Sequence, residues 1–324
     1  MRSAIHSTFG EPADVLTAAD SPIPEPAEGQ VRIRTILSSI HNHDLVTVRG
    51  VYGYKPELPA IGGTEAVGTV DAVGPGVTGL TIGQRIAVAG VHGTWAEYFV
   101  APAHSVVPLP DAISDEQGAQ LIAMPFSSLT LLEFLKLEKG DWIILNAANG
   151  AVGKAVSMLG AARGINVISL VRREETIAEL AELGITNVVA STEGWQDRVR
   201  ALTDGASIRA GVDSIGGKAS GELLSVLGDD SVLVSFGSMT GEPMIVDAGD
   251  LIYKQAVVKG YWASKVAVAL GPEGMARLIA ELMGLVIQGA VKLPVEGIYS
   301  FDQIGDAVRA SLAPGKAGKV LLRP

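Results

Sequence analysis

The stretch RGVYGYKPELPAIGGTEAVG, residues 49–68, sets Tyr52 and Tyr54 in a loop whose Gly and Pro content opposes regular structure. A phenol stays neutral near pH 7 and can still donate a hydrogen bond or a proton. The same ring can equally be a packing anchor, so the loop poses a choice between catalyst and core. Just upstream, His41, Asn42, His43 and Asp44 follow the alternating stretch QVRIRTILSSI. Read as a continuation of that strand, the His-x-His spacing turns both imidazoles to one face. With Asp44 and Glu65 they have the residue types of a metal site. The chain has no cysteine, which excludes Cys-ligated zinc, iron–sulfur clusters, disulfides and a Cys nucleophile. No metal is expected: one histidine, taken as His41, lines the site and the other is hydrogen-bonded near the surface. His92 and His104 read as structural or exposed. Ser127 and Ser128 have no base partner in the sequence, so a serine nucleophile has little support.

The second chemical signal is NAANGAVG, residues 146–153, between an apolar strand and a helix. A turn this tight lets backbone approach a pyrophosphate, and the helix start offers free N–H groups and a positive dipole end. The frame is A-x-x-G-x-x-G: Ala147, Gly150, Gly153. Such a turn also serves plain packing; the strand–helix units around it favour a dinucleotide. About twenty residues on, the next strand ends in SLVRREE. Two guanidinium forks, Arg172 and Arg173, suit a 2′-phosphate and favour NADPH. Glu174 is also placed for a ribose hydroxyl, which keeps NADH open.

These residues need two different scaffolds. Up to residue 118 the chain reads as short strands punctuated by Gly and Pro, a loop-rich β domain. From 119, GAQLIAMPFSSLTLLEFLKL reads as a helix. Strands then alternate with helices as far as AVVKGYW, near 263, the pattern of a doubly wound parallel sheet. Residues 264–324 give a long amphipathic helix from Pro272, a shorter helix and a terminal strand. At 324 residues, 48% hydrophobic and 19% charged, two packed domains are affordable. A net charge of −10 argues against a nucleic-acid partner. No secretory signal and no spanning apolar run is read, so the expected location is cytoplasmic.

The whole chain resembles the medium-chain dehydrogenase/reductase superfamily. That resemblance implies a GroES-like catalytic domain (1–118), a Rossmann nucleotide-binding domain (119–263) and a return to the first domain (264–324). Zinc members carry a Cys and a Gly-His-Glu; here the matching position is Gly63-Thr64-Glu65, so the chain resembles the zinc-free branch. Within it, VYGYKPELPAIGG, NAANGAVG and KGYWASK are similar to segments of the 2-enoyl thioester reductases, the mitochondrial trans-2-enoyl reductase group. The resemblance implies that Tyr52 is catalytic, with Tyr54 a wall or packing residue. It implies cofactor contacts at Gly150, Ala151, Val152, Gly153, Arg172, Arg173, Phe236, Gly237, Ser238, Met239, Tyr261, Trp262, Ala263 and Lys319. The substrate pocket would include His41, Tyr54, Met124 and Trp262. Two departures stand out: His41-Asn42-His43-Asp44 replaces an Asn-Pro-x-Asp loop, and Met124 replaces an Asn before Pro125.

The implied reaction is NADPH-dependent reduction of an activated C=C bond, in a 2-enoyl thioester or a small enal or enone. Hydride reaches Cβ, charge builds on the carbonyl oxygen, and Tyr52 assists proton delivery. The alternatives are an NADPH:quinone oxidoreductase and a non-catalytic NADPH-binding protein. A homodimer is what the superfamily implies; no membrane partner is expected.

Overall fold

The computed structural model describes residues 1–324 as two compact units, 1–123 with 293–324, and 124–292. The first unit is mostly β. It begins with β1 (Arg2–His6), α1 (Pro12–Val15), β2 (Leu16–Asp20), β3 (Gln30–Ser39) and α2 (Asn42–Val48). It continues through β4 (Ala60–Ile61), β5 (Glu65–Val73), β6 (Arg85–Ala89), β7 (Tyr98–Pro102), β8 (Val106–Pro108) and α3 (Asp115–Gly118). In β3 the alternation seen in the sequence is real: Val31, Ile33 and Leu37 are buried, while Arg34 is exposed and Arg32 partly so. β3 pairs antiparallel with both β5 and β7, the backbone of the larger sheet.

In the second unit come α4 (Ala123–Leu135), β9 (Trp142–Leu145), α5 (Ala151–Ala162), β10 (Asn166–Val171), α6 (Glu175–Glu182) and β11 (Val188–Ala190). After them lie α7 (Trp195–Thr203), β12 (Ile208–Asp213), α8 (Lys218–Val226), β13 (Val232–Ser235), α9 (Ala248–Tyr253), β14 (Val257–Gly260) and α10 (Ala263–Ile287). All six strands are parallel, in the order β11-β10-β9-β12-β13-β14. That order is the doubly wound Rossmann arrangement, whose direction reverses between β9 and β12. The central strands are apolar throughout because helices cover both faces; Ile143 and Ile144, consecutive in β9, are both fully buried. The chain then returns to the first unit through β15 (Val295–Ser300), α11 (Ile304–Leu312) and β16 (Lys319–Arg323), and β16 pairs antiparallel with the end of β3.

Three local expectations change. The His-x-His segment is not strand: His41 is the N-cap of α2 and His43 lies in its first turn. Asp44, three residues past the cap, accepts the His41 N–H at 2.8 Å and so ties down the start of that helix. The stretch read as one helix from 119 is broken: α3 ends at Gly118 and α4 begins at Ala123. The backbone N–H groups of Ile122 and Ala123 donate to Glu65 instead of continuing a helix. The long helix is two segments: Gly271, at φ 65°, breaks α10 just before Pro272, so helix also precedes the expected start. No helix is long and apolar enough to cross a membrane.

Candidate active site

In the second unit the candidate residues gather at the carboxyl ends of the parallel strands, where this fold places ligands. β9 ends at Leu145, and Asn146 turns the chain. Ala147, the first residue of the A-x-x-G-x-x-G frame, has φ 50°, the left-handed conformation that glycine would take at no cost. Gly150 is the N-cap of α5 and offers no side chain to its first N–H groups. Those donors are therefore available to an anion. A Cβ on Gly153 would lie 2.5 Å from the Ala148 backbone, so α5 can approach the turn this closely only with glycine there. The turn thus fits a pyrophosphate on the backbone of Gly150, Ala151, Val152 and Gly153.

Arg172 and Arg173 are exposed beyond β10, and neither is committed to an ion pair within the chain. Phe236, Gly237, Ser238 and Met239 follow β13, and Tyr261, Trp262 and Ala263 follow β14. The Tyr261 ring stacks on Phe236 at 5.2 Å, and its hydroxyl is held by Thr130 at 2.7 Å and the Ser127 carbonyl at 2.8 Å. Tyr261 is thereby a rigid wall, its phenol pushed up by burial. Trp262 is 65% exposed, with the Lys265 ammonium 5.8 Å from its ring. The Met124 carbonyl accepts the Ser128 hydroxyl at 2.8 Å.

The sequence did not disclose a polar clamp at the reversal point. Buried Asn146 donates to Asp213 at 2.6 Å and accepts the Ser214 N–H at 2.8 Å. Asp213 also accepts the N–H groups of Ile215 and Gly216 and the Ser220 hydroxyl. The clamp ties the end of β9 to the end of β12, directly beside the glycine turn. The only sequence signal was a polar residue ending each of two apolar strands.

The first unit holds the titratable cluster. His41 is fully buried, so it is His43 and not His41 that reaches the surface, with 25% of its side chain exposed. His41 Nε2 lies 2.6 Å from Glu65 and 2.7 Å from the Ser39 hydroxyl, while Nδ1 has no partner. Burial, with the charge of Lys319, holds His41 well below the usual imidazole range. It is therefore neutral, with its proton on Nε2 toward Glu65. Burial pushes the Glu65 carboxyl up to about 7, against the N–H groups of Ala123 and Ile122 and the Lys319 charge. Burial likewise pushes Lys319 down to about 8, opposed by Glu65 and Asp44. Lys319, expected at the cofactor, thus faces the carboxylates of its own unit at the start of β16.

The two histidine rings stack at 5.0 Å, and His43 in turn stacks on Tyr52 at 6.0 Å. Tyr52 is 48% exposed and its hydroxyl makes no hydrogen bond within the chain. Tyr54 stacks on His92 at 4.1 Å. The structure therefore separates the pair: Tyr54 is fastened to a neighbour, and Tyr52 presents a free hydroxyl next to an imidazole. Thr64, at the third position of Gly-Gly-Thr-Glu, lies 2.7 Å from His43 and donates to Asp44 at 2.7 Å.

Comparison with known proteins agrees with this architecture. Residues 27–111 match the model of the alcohol dehydrogenase GroES-like domain, and residues 151–281 that of the zinc-binding dehydrogenases. The human mitochondrial enoyl-[acyl-carrier-protein] reductase is 30% identical, aligned over 99% of this chain and 88% of its own. The corresponding Yarrowia lipolytica reductase is 30% identical over 93% and 84%. Among solved structures, the Pseudomonas syringae quinone oxidoreductase superposes with TM-score 0.88 at 28% identity, covering 100% of this chain and 99% of its own. The Escherichia coli quinone oxidoreductase complexed with NADPH gives 0.87 at 25% identity, with both chains fully covered. The chain belongs to the medium-chain dehydrogenase/reductase superfamily, a superfamily of oxidoreductases. Its full-length relatives place it with the mitochondrial-type enoyl reductases of that superfamily.

Proposed function

We propose that this chain is an NADPH-dependent reductase of activated carbon–carbon double bonds, acting on 2-enoyl thioesters or small enals and enones. The observation that supports it most is the full-length similarity to enoyl-[acyl-carrier-protein] reductases. The free hydroxyl of Tyr52 supplies the donor such a reaction needs. When bound, NADPH supplies a hydride. Backbone N–H groups from Gly150 to Gly153 hold its pyrophosphate, and Arg172 and Arg173 bind its 2′-phosphate. Phe236 to Met239 and Tyr261 to Ala263 complete the cofactor side. Tyr52 donates a hydrogen bond to the carbonyl oxygen of the substrate as negative charge gathers there. Tyr54 in the first unit, and Met124 and Trp262 in the second, are the substrate-side candidates that each unit offers. The exposed apolar edge of β14, with Val257 and Val258, favours a homodimer formed by strand pairing.

A second reading is supported by the solved structures, which include quinone oxidoreductases. Quinone reduction has no need of a proton-donating tyrosine, so the two readings separate at Tyr52. The direct test is NADPH oxidation with crotonyl-CoA, trans-2-hexenal and a benzoquinone side by side. Turnover of either alkene supports the proposal; turnover of the quinone alone selects the second reading.

A further inference from the structure

The reduction proposed above consumes a proton at Cα as well as a hydride at Cβ, and the hydroxyl that contacts the carbonyl oxygen does not by itself account for it. The arrangement around His43 does. Asp44 is buried, and both its oxygens accept hydrogen bonds: Oδ2 from the His41 N–H at 2.8 Å and Oδ1 from the Thr64 hydroxyl at 2.7 Å. Thr64 has one hydroxyl proton, and it is spent on Asp44. The 2.7 Å contact between Thr64 Oγ1 and His43 Nε2 can therefore be filled only by an N–H from the imidazole. His43 carries a fixed proton on Nε2, and Nδ1, which has no partner within the chain, is the nitrogen left to gain and lose one. A carboxylate, reached through one hydroxyl, stands behind that imidazole; Asp44 Oδ1 is 3.5 Å from His43 Nε2. This is the layout of an acid–base group oriented by a third residue. The side chain is partly exposed, so it can exchange with solvent, and its ring lies 6.0 Å from that of Tyr52.

We infer that His43 is the general acid of the reaction, with Thr64 and Asp44 as its positioning residues and Tyr52 as the hydrogen-bond donor to the carbonyl oxygen. The inference rests on the reductase reading above. In the step, the hydride forms the new C–H bond at Cβ and the C=C π pair moves to Cα and the carbonyl oxygen. The Nδ1–H bond of the imidazolium then breaks as its proton forms the C–H bond at Cα. The imidazole is left neutral, still bonded through Nε2–H to Thr64, and is reprotonated from solvent. The alkene is reduced by two electrons and the nicotinamide oxidised by two, so atoms and charge balance.

The test is steady-state kinetics of H43A with NADPH and either crotonyl-CoA or trans-2-hexenal, with and without added imidazole. Removal of a general acid is expected to lower kcat by roughly 10²-fold, to leave the KM for NADPH unchanged, and to be partly reversed by imidazole in a concentration-dependent way. T64V, which keeps the shape and loses the hydroxyl, should lower kcat about 10-fold, reduce the kcat solvent deuterium effect's dependence on His43, and gain nothing from imidazole. Undiminished kcat in H43A, or a loss that imidazole does not restore, overturns the assignment. Should H43A fail to fold, H43Q replaces it: glutamine can still donate to Thr64 but has no proton to transfer, so wild-type turnover there overturns the assignment equally. Wild-type protein inert on both alkenes overturns the reductase reading and this inference with it, whereas wild-type turnover beside an unimpaired H43A overturns the inference alone.

Discussion

Glu65 is the residue whose loss the structure prices most fully. It is completely buried and accepts four hydrogen bonds: from Ile122 N–H at 2.6 Å, Ala123 N–H at 2.8 Å, His41 Nε2 at 2.6 Å and the Ser39 hydroxyl at 3.3 Å. It is also the first charge acting on the buried Lys319. Glu65→Ala leaves the Ile122 and Ala123 backbone donors without a partner and removes one of the two carboxylates that favour the charged Lys319. Each unsatisfied buried group costs about 1–3 kcal/mol, and more where the group is charged. These costs overlap because the donors converge on one carboxyl, so the expected loss is about 4 kcal/mol. Glu65→Gln keeps one acceptor oxygen for Ile122 and Ala123, and His41 can switch tautomer to accept from the amide, so the loss should be about 1–2 kcal/mol. The pH dependence has a definite sign. Glu65 titrates at about 7 when folded, above its ordinary 4.5, so the folded state holds the extra proton between those values. Its contribution is complete below the lower value and is lost as pH rises through the upper one. Glu65→Gln has no such titration. Its deficit should therefore be larger at about pH 5 than at about pH 8. Urea unfolding of the wild type and both variants at the two pH values measures this. A Glu65→Ala protein within about 1 kcal/mol of wild type, or a Glu65→Gln deficit that grows as pH rises, would refute the reasoning.

Replacing both Arg172 and Arg173 with alanine should raise the KM for NADPH far more than that for NADH; equal changes would remove the 2′-phosphate assignment. Tyr52→Phe should lower alkene turnover by roughly 10-fold or more with little change in NADPH affinity, while Tyr54→Phe, with its ring on His92, should be nearly silent. The reverse order of damage would move the catalytic role to Tyr54. Gly153→Ala should weaken NADPH binding and lower the melting temperature together, because its Cβ meets backbone at 2.5 Å; an unchanged dissociation constant for NADPH would contradict the turn assignment. Activity should survive a strong chelator, and elemental analysis should find no stoichiometric zinc; one metal per chain with activity lost on chelation would restore a metal role.

The Rossmann sheet was legible because a parallel strand covered on both faces is a continuous apolar run, and Gly marks each turn. The glycine turn was legible for the same reason, but that its first position, Ala147, is held at φ 50° was not. The helix at α2 was not. Its N-cap position holds His41 where Ser or Thr would announce a helix start, so the alternation of β3 ran on through HNHD. The buried clusters were hidden by distance along the chain: Asn146 and Asp213 are 67 residues apart, and Glu65 and Lys319 come from opposite ends of the first unit. Local pattern also set the domain limits near 118 and 263, where periodic elements end. The compact units change at 123 and 292. Packing decides that placement: Arg163 makes a two-pronged contact with Glu281 and reaches Glu133, tying α10 to α5 and α4.

Alkene reduction is tested most directly by following the label. With NADPH deuterated at the transferable C4 position and trans-2-hexenal or crotonyl-CoA as acceptor, mass and NMR analysis of the product locates the deuterium. One deuterium is expected at Cβ of the saturated product, with the hydrogen at Cα drawn from solvent. Deuterium at the carbonyl carbon of hexenal, giving the unsaturated alcohol, or oxidation of the cofactor by a quinone with neither alkene consumed, would contradict it.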